Sequence, residues 1–239
     1  MMKSLIVPLL LALATPAPAS NASATGECVV FLHGLLRTSG SMEKIAGAFS
    51  AQGYAVANID YPSNKLPIEE LAPLATEAGV AQCVGYGKVH FVTHSMGGIL
   101  VRYYLQEHQI ANLGRVVMIA PPNGGSEVVD AMIGTPGYEL LHGPAGLQLG
   151  TDAESIPAQL DPIDFEVGII AGTRTVNFML SQYLPNPDDG KVTLESTKVE
   201  GMQDFIALPH SHSFIMKKPA TIDQAIAFIA TGSFVHEVE

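Results

Sequence analysis

Positive charge is scarce in this sequence. Twelve lysines and arginines stand against 23 aspartates and glutamates in 239 residues, a formal net charge of −11. A chain of this sign repels phosphate backbones, which argues against nucleic acid as a partner. It also gains nothing electrostatically at an anionic membrane surface. Charge of either sign is sparse at 15%, while hydrophobic residues make up 47%. A disordered chain has the opposite balance. Cysteine is limited to Cys28 and Cys83, with no C-x-x-C spacing of the metal-binding kind. After the first residues there is no apolar run long enough to span a bilayer, which takes roughly 20 residues.

What is present begins with Lys3 and an apolar run from Leu5 to Ala14, broken only by Pro8. Thr15-Pro16-Ala17-Pro18-Ala19 then offers small residues for cleavage after Ala19, and Ala22-Ser23-Ala24 offers a second site. Residues 1–24 therefore read as a secretory signal that is removed. The remainder, 25–239, is expected to form a single domain in the periplasm or outside the cell, with no stable membrane insertion. In an exported chain the two cysteines are expected to pair. Cys28 opens a predicted strand and Cys83 closes a predicted helix, so a bridge would lie at the amino-end edge of the sheet.

Along the chain, short apolar runs alternate with helical patterns. Strands are predicted at 28–32, 54–59, 89–93, 116–120, 167–171 and 204–208. Helices are predicted from Ser41, as a capping residue, to near Gly53, with Ile45, Ala46 and Phe49 on one face; from Pro67 to about Cys83, with a kink at Pro73; from Ser95 to Glu107; and from Ala220 to Ile229. This alternation predicts an α/β fold, a parallel sheet with helices on both faces and reactive groups at the carboxyl ends of the strands. Residues 121–166 break the rhythm. They are rich in glycine and proline and too long for a plain connection, so they read as a cap or lid.

Thr93-His94-Ser95-Met96-Gly97-Gly98 leaves a predicted strand and opens a predicted helix. That is the setting of a nucleophile elbow, a turn so tight that the residues two before and two after the serine must be small. Thr93 stands where glycine is usual. Phe31-Leu32-His33-Gly34-Leu35-Leu36 ends the first strand. In the α/β-hydrolase fold a His-Gly pair there turns the backbone towards the nucleophile, and the amides of Leu35 and Met96 can then hold an oxyanion. The acid and base follow in chain order. Asp188 and Asp189 are the candidates for the first, His210 and His212 for the second.

From about Glu27 to Met216 the chain resembles bacterial lipase/esterase-like α/β hydrolases, a group of small exported enzymes. The resemblance rests on His33-Gly34-Leu35-Leu36-Arg37-Thr38, Tyr61-Pro62-Ser63, Thr93 to Gly98, Pro121-Pro122-Asn123-Gly124-Gly125-Ser126, Asp188 to Val192, and Ser211-His212-Ser213-Phe214. The chain is also similar to triacylglycerol lipases, in which an N-D-G-x-V segment supplies the acid. The resemblance implies Asp189 as acid, His212 as base and Ser95 as nucleophile in cleavage of a small-molecule or lipid ester. It implies neither cofactor nor metal. An acyltransferase or amidase would use the same three residues, and a non-catalytic binding protein on this fold is the reading from another class. His94 reads as structural, and His142 as structural or surface, with pocket lining as its other role. Arg37 reads either as a site for a substrate anion or as a brace of the oxyanion loop.

Overall fold

Strand β1 (Glu27–Leu32) explains why the first apolar run has no alternation. Val29 to Leu32 are all fully buried, and successive side chains enter different cores. Val30 and Leu32 pack with Leu71, Ile99 and Leu100, whereas Val29 and Phe31 pack with Ile45, Phe49 and Phe228. A strand covered on both faces has no polar side to display. The computed structural model describes residues 25–236 except 177 and 186, so the expected signal segment lies outside the described residues.

Five further strands follow: β2 (Ala55–Ile59), β3 (Lys88–His94), β4 (Leu113–Ile119), β5 (Val167–Gly172) and β6 (Asp204–Leu208). All pair in parallel, in the order β2-β1-β3-β4-β5-β6. The helices are α1 (Glu43–Ala51), α2 (Ile68–Gln82), α3 (Met96–Glu107), α4 (Glu127–Met132), α5 (Tyr138–Leu147), α6 (Ile156–Gln159), α7 (Phe178–Ser181), α8 (Leu194–Thr197) and α9 (Pro219–Thr231). Helices α1 and α9 cover one face of the sheet, α2 and α3 the other. Every strand predicted from sequence is present, and the α/β-hydrolase architecture stands.

Two helix details differ from expectation. Ser41 does not cap α1; it sits in a preceding 3-10 turn, where its hydroxyl donates to the Thr38 carbonyl at 2.8 Å, and Met42 takes the cap position. A serine hydroxyl takes the nearest free carbonyl, and here that carbonyl is upstream of the helix. Helix α2 runs as one element through Pro73, with Pro67 one position before its first turn. Its first amide, on Ile68, is satisfied from outside by the Gln148 side-chain oxygen at 2.7 Å.

Residues 121–166 hold α4, α5 and α6 between β4 and β5. This segment is tied down as well as inserted. Gln148 also reaches the Glu69 carboxylate, and Asn64 donates to the Leu141 carbonyl at 2.9 Å. Helix α5 breaks at Gly143 (φ 64°), where any side chain would collide with the Asn64 carbonyl.

Cys28 and Cys83 form a disulfide with a Cα–Cα distance of 5.7 Å. Cys28 is the second residue of β1, so the bridge lies at the end of the sheet away from Gly34 and Ser95. It closes a loop of 55 positions, for which the chain-entropy model gives a stabilisation of about 4 kcal/mol as an upper figure. The double variant Cys28→Ala/Cys83→Ala is expected to melt at a clearly lower temperature than the parent protein. Intact-mass measurement on non-reduced, periplasm-purified protein should find no free thiol; two free thiols would remove the bridge from the account.

Candidate active site

The turn between β3 and α3 is built around a strained serine. Ser95 adopts φ 53° and ψ −126°, a region that non-glycine residues occupy only when the surroundings enforce it. Its amide donates to the Ile119 carbonyl at 2.8 Å. Gly97 is required by close approach, because a Cβ there would lie 2.7 Å from the Leu32 carbonyl oxygen and 2.9 Å from that of His33. Thr93 takes the position where glycine is usual because Gly98 makes room for it. A Cβ on Gly98 would lie 3.3 Å from the threonine oxygen.

Three side chains then form one hydrogen-bonded chain. His212 Nε2 lies 3.0 Å from Ser95 Oγ, and His212 Nδ1 lies 2.8 Å from Asp189 Oδ2. The other carboxylate oxygen of Asp189 accepts from the amides of Lys191 (3.0 Å) and Val192 (2.9 Å), and its carbonyl accepts from the His212 amide at 3.0 Å. A carboxylate beside Nδ1 makes that nitrogen the donor, so the proton sits on Nδ1 and Nε2 is left to accept from the serine hydroxyl. Asp189 and His212 are buried, at 2% and 5% exposure. Both ring nitrogens of His212 are thereby engaged.

The other candidates fall elsewhere. Asp188 is buried, but its carboxylate accepts from the Ser181 hydroxyl and the Gly190 amide, each at 2.7 Å, and so shapes the loop that presents Asp189. His210 lies outside the pocket that Ser95 lines, and burial together with Lys218 holds its imidazole below the ordinary histidine range. His94 is structural, as expected, yet it also touches the site. Its Nε2 donates to the His212 carbonyl at 3.0 Å and its ring stands 4.9 Å from the His212 ring. Burial, reinforced by His212, pushes its pKa well below the ordinary value, so it is neutral.

The loop after β1 is pressed against the serine. A Cβ on Gly34 would lie 3.0 Å from Ser95 Cβ and 3.0 Å from His94 Nδ1. Tyr61-Pro62-Ser63 holds this loop in shape. Tyr61 stacks on the His33 ring at 4.0 Å, its hydroxyl donates to the His33 carbonyl, and Ser63 Oγ accepts from the Leu36 amide at 3.1 Å. Burial keeps His33 below the ordinary histidine range, so its approach to Asp60 at 3.6 Å is a contact with a neutral ring. Among the described residues, the amides of Leu35 and Met96 donate to no protein acceptor. Among the described residues the Arg37 guanidinium makes no hydrogen bond, so no such bond from it braces this loop.

The Pro121–Ser126 segment has a fastening role of its own. Ser126 Oγ donates to the Lys191 carbonyl at 2.7 Å, and Asn123 Nδ2 donates to that of Thr197 at 2.8 Å. Asn123 is held in turn by Arg102 Nη1 at 3.0 Å, a guanidinium that burial brings down to about 10. The insertion and the acid loop are thus one connected structure.

Over Ser95 and His212 lies a cavity of about 140 Å³. Leu35, Val128, Val129, Met132 and Leu149 supply apolar walls, and Arg37 and Lys191 line it as well. His142 stacks on Tyr138 at 4.0 Å, and both rings face the cavity, so His142 is a lining residue held in place by packing.

A strained serine between a central strand and a helix, facing a cavity on a parallel sheet, defines a class of protein. Residues 29–221 match the α/β hydrolase family, and the chain belongs to it. The mature form of a lipase from Bacillus licheniformis, BlEst2, superposes with a TM-score of 0.71 at 22% identity, covering 92% of this chain and 95% of that one. A metagenomic carboxyl esterase, MGS0156, gives a TM-score of 0.65 at 19% identity over 85% of this chain and 69% of its own. Phospholipase PlaB from Legionella pneumophila gives 0.60 at 16% identity, over 83% and 56%. At these identities the likeness is one of fold. No curated protein sequence matches the chain.

Proposed function

We propose that this protein is an exported serine hydrolase that cleaves carboxylic esters through an acyl-enzyme. The observation that carries the reading is the continuous hydrogen bonding from Asp189 through His212 to Ser95, facing a cavity with largely apolar walls. In this mechanism the Ser95 hydroxyl attacks the acyl carbonyl while His212 Nε2 takes its proton. Asp189 holds the Nδ1 proton and stabilises the imidazolium that forms. The amides of Leu35 and Met96, free of protein acceptors, hold the oxygen that becomes negative. His212 returns its proton to the leaving alcohol, and water activated by the same nitrogen frees the acid. Every proton in this cycle passes through one imidazole, so no metal or organic cofactor enters it.

Residues 121–166 act as the cap, since Val128, Val129, Met132 and Leu149 form much of the cavity wall. The disulfide agrees with a place outside the cytoplasm, in the periplasm or medium. The volume favours a short acyl chain. A cavity of about 140 Å³ is near the roughly 150 Å³ that takes one benzene ring. Rates on 4-nitrophenyl esters of rising length should therefore peak at short chains and fall by eight carbons and beyond. A fluorophosphonate probe should label the protein at Ser95. Absence of labelling would favour a non-catalytic binding protein. A labelled protein that acylates an added alcohol or amine faster than water would be a transferase.

A further inference from the structure

The chain is acidic, yet two of its few cations converge on the reaction cavity. Arg37 and Lys191 both line it together with Ser95 and His212. Neither side chain takes part in an ion pair or a hydrogen bond among the described residues. Asp189, two residues before Lys191, and Asp60, which borders the same groove as Arg37, both have other partners. Asp189 serves His212 and two backbone amides, and Asp60 Oδ1 accepts from the Ser39 amide at 2.8 Å.

Two unpaired cations near each other disfavour one another. Lys191 shows the cost, for burial and then Arg37 lower its pKa, with Asp189 opposing them. A fold keeps such an arrangement when something else supplies the missing charge. The backbone of Lys191 is fixed on both sides, its amide to Asp189 Oδ1 at 3.0 Å and its carbonyl to Ser126 Oγ at 2.7 Å. Arg37 follows Leu36, whose left-handed conformation (φ 57°) and bond to Ser63 aim the loop. The two side chains are therefore presented to one cavity from fixed stretches of backbone, one from the loop after β1 and one from the acid loop. Arginine offers a planar fork to an oxyanion and lysine a point charge, a pairing suited to carboxylate or phosphate.

We propose that Arg37 and Lys191 form an anion subsite beside Ser95, so that the preferred ester carries a carboxylate or phosphate near the scissile carbonyl. The subsite rests on the ester-hydrolase reading for its role and is testable apart from it. Two matched pairs of substrates place the anion on either side of the bond. The mono(4-nitrophenyl) ester of adipic acid is compared with its methyl ester, and 3-carboxy-4-nitrophenyl butyrate with 4-nitrophenyl butyrate. In at least one pair the anionic member should show a kcat/KM about tenfold or more above its neutral partner at low salt, as charge-assisted hydrogen bonds predict. The ratio should shrink with added sodium chloride, and it should fall towards one in Arg37→Gln and in Lys191→Gln. Because the ratio is read within each variant, a general loss of activity cancels. Arg37→Gln is the decisive variant, since that side chain holds nothing else in place.

Calorimetric titration with adipate and with inorganic phosphate, on the parent protein and on Arg37→Gln, tests binding without turnover. Binding of either that is lost in the variant supports the subsite even if no ester is cleaved, in which case the hydrolase reading alone fails. The anion that binds tells carboxylate from phosphate. Neutral esters cleaved with no anionic preference in either pair, and no binding of either anion, would overturn the subsite and leave the hydrolase reading standing. An anionic preference that persists undiminished in both variants would also overturn it.

Discussion

Ser95→Ala is expected to lower kcat for ester hydrolysis by on the order of 10⁵- to 10⁶-fold, with the residue of activity coming from oxyanion stabilisation and binding. The fold should be untouched. Ser95 makes no side-chain cap to α3, and its hydroxyl has His212 as its hydrogen-bond partner. Ser95→Gly should be as inactive and also more stable than the parent. Relief of a strained backbone position is worth about 1–3 kcal/mol, against roughly 0.4–1 kcal/mol for the greater freedom of glycine in the unfolded chain. A Ser95→Gly protein that melts above the parent and hydrolyses nothing would show strain held for the sake of chemistry. Near-normal turnover in a folded Ser95→Ala protein would refute the assignment of the nucleophile.

The second large effect separates neighbours. His212→Ala should reduce kcat by several orders of magnitude, whereas His210→Ala should cost less than about tenfold, or roughly 1.4 kcal/mol of barrier. Asp189→Asn should cost on the order of 10⁴-fold, because an amide beside Nδ1 favours the wrong tautomer. Asp188→Asn should cost far less. An asparagine oxygen can still accept from the Gly190 amide, and the Ser181 hydroxyl can turn to meet the new NH₂ group. Steady-state kinetics on one short-chain ester, with circular dichroism to verify folding, measures all four. Loss in the reverse order would move the acid and base to the other pair.

The fold was legible because doubly covered strands leave a plain mark. Cys28 to Leu32 and Val167 to Ala171 are apolar without interruption, which only burial on both faces explains. The elbow was legible for a similar reason: at Gly97 two backbone carbonyls leave no room for a side chain, and at Gly98 the neighbours leave little. Sequence order narrowed the acid and base to two residues each but did not choose between them, since adjacent loop residues differ only in what the loop geometry presents. Tyr61 and Ser63 escaped notice as supports of the loop after β1. They act from a different strand end, 28 and 27 residues away from their partners His33 and Leu36, and a contact across strands has no local signature. Ser41 misled because a serine before a helix is a good cap only when no closer carbonyl competes.

The order in which the site is strung along the chain bears on synthesis. Leu35 comes near the start, Ser95 near the middle, and His212 only after β6, the strand at one edge of the sheet. A growing chain can already have made β1, β3 and the turn that bears the serine while still lacking its base. No fragment that stops short of the loop after β6 holds a full set of reacting groups, however well its early strands pair. On the proposed mechanism hydrolytic power is therefore acquired only once the loop after β6 has been made, and a cell making this protein meets no active intermediate before that point.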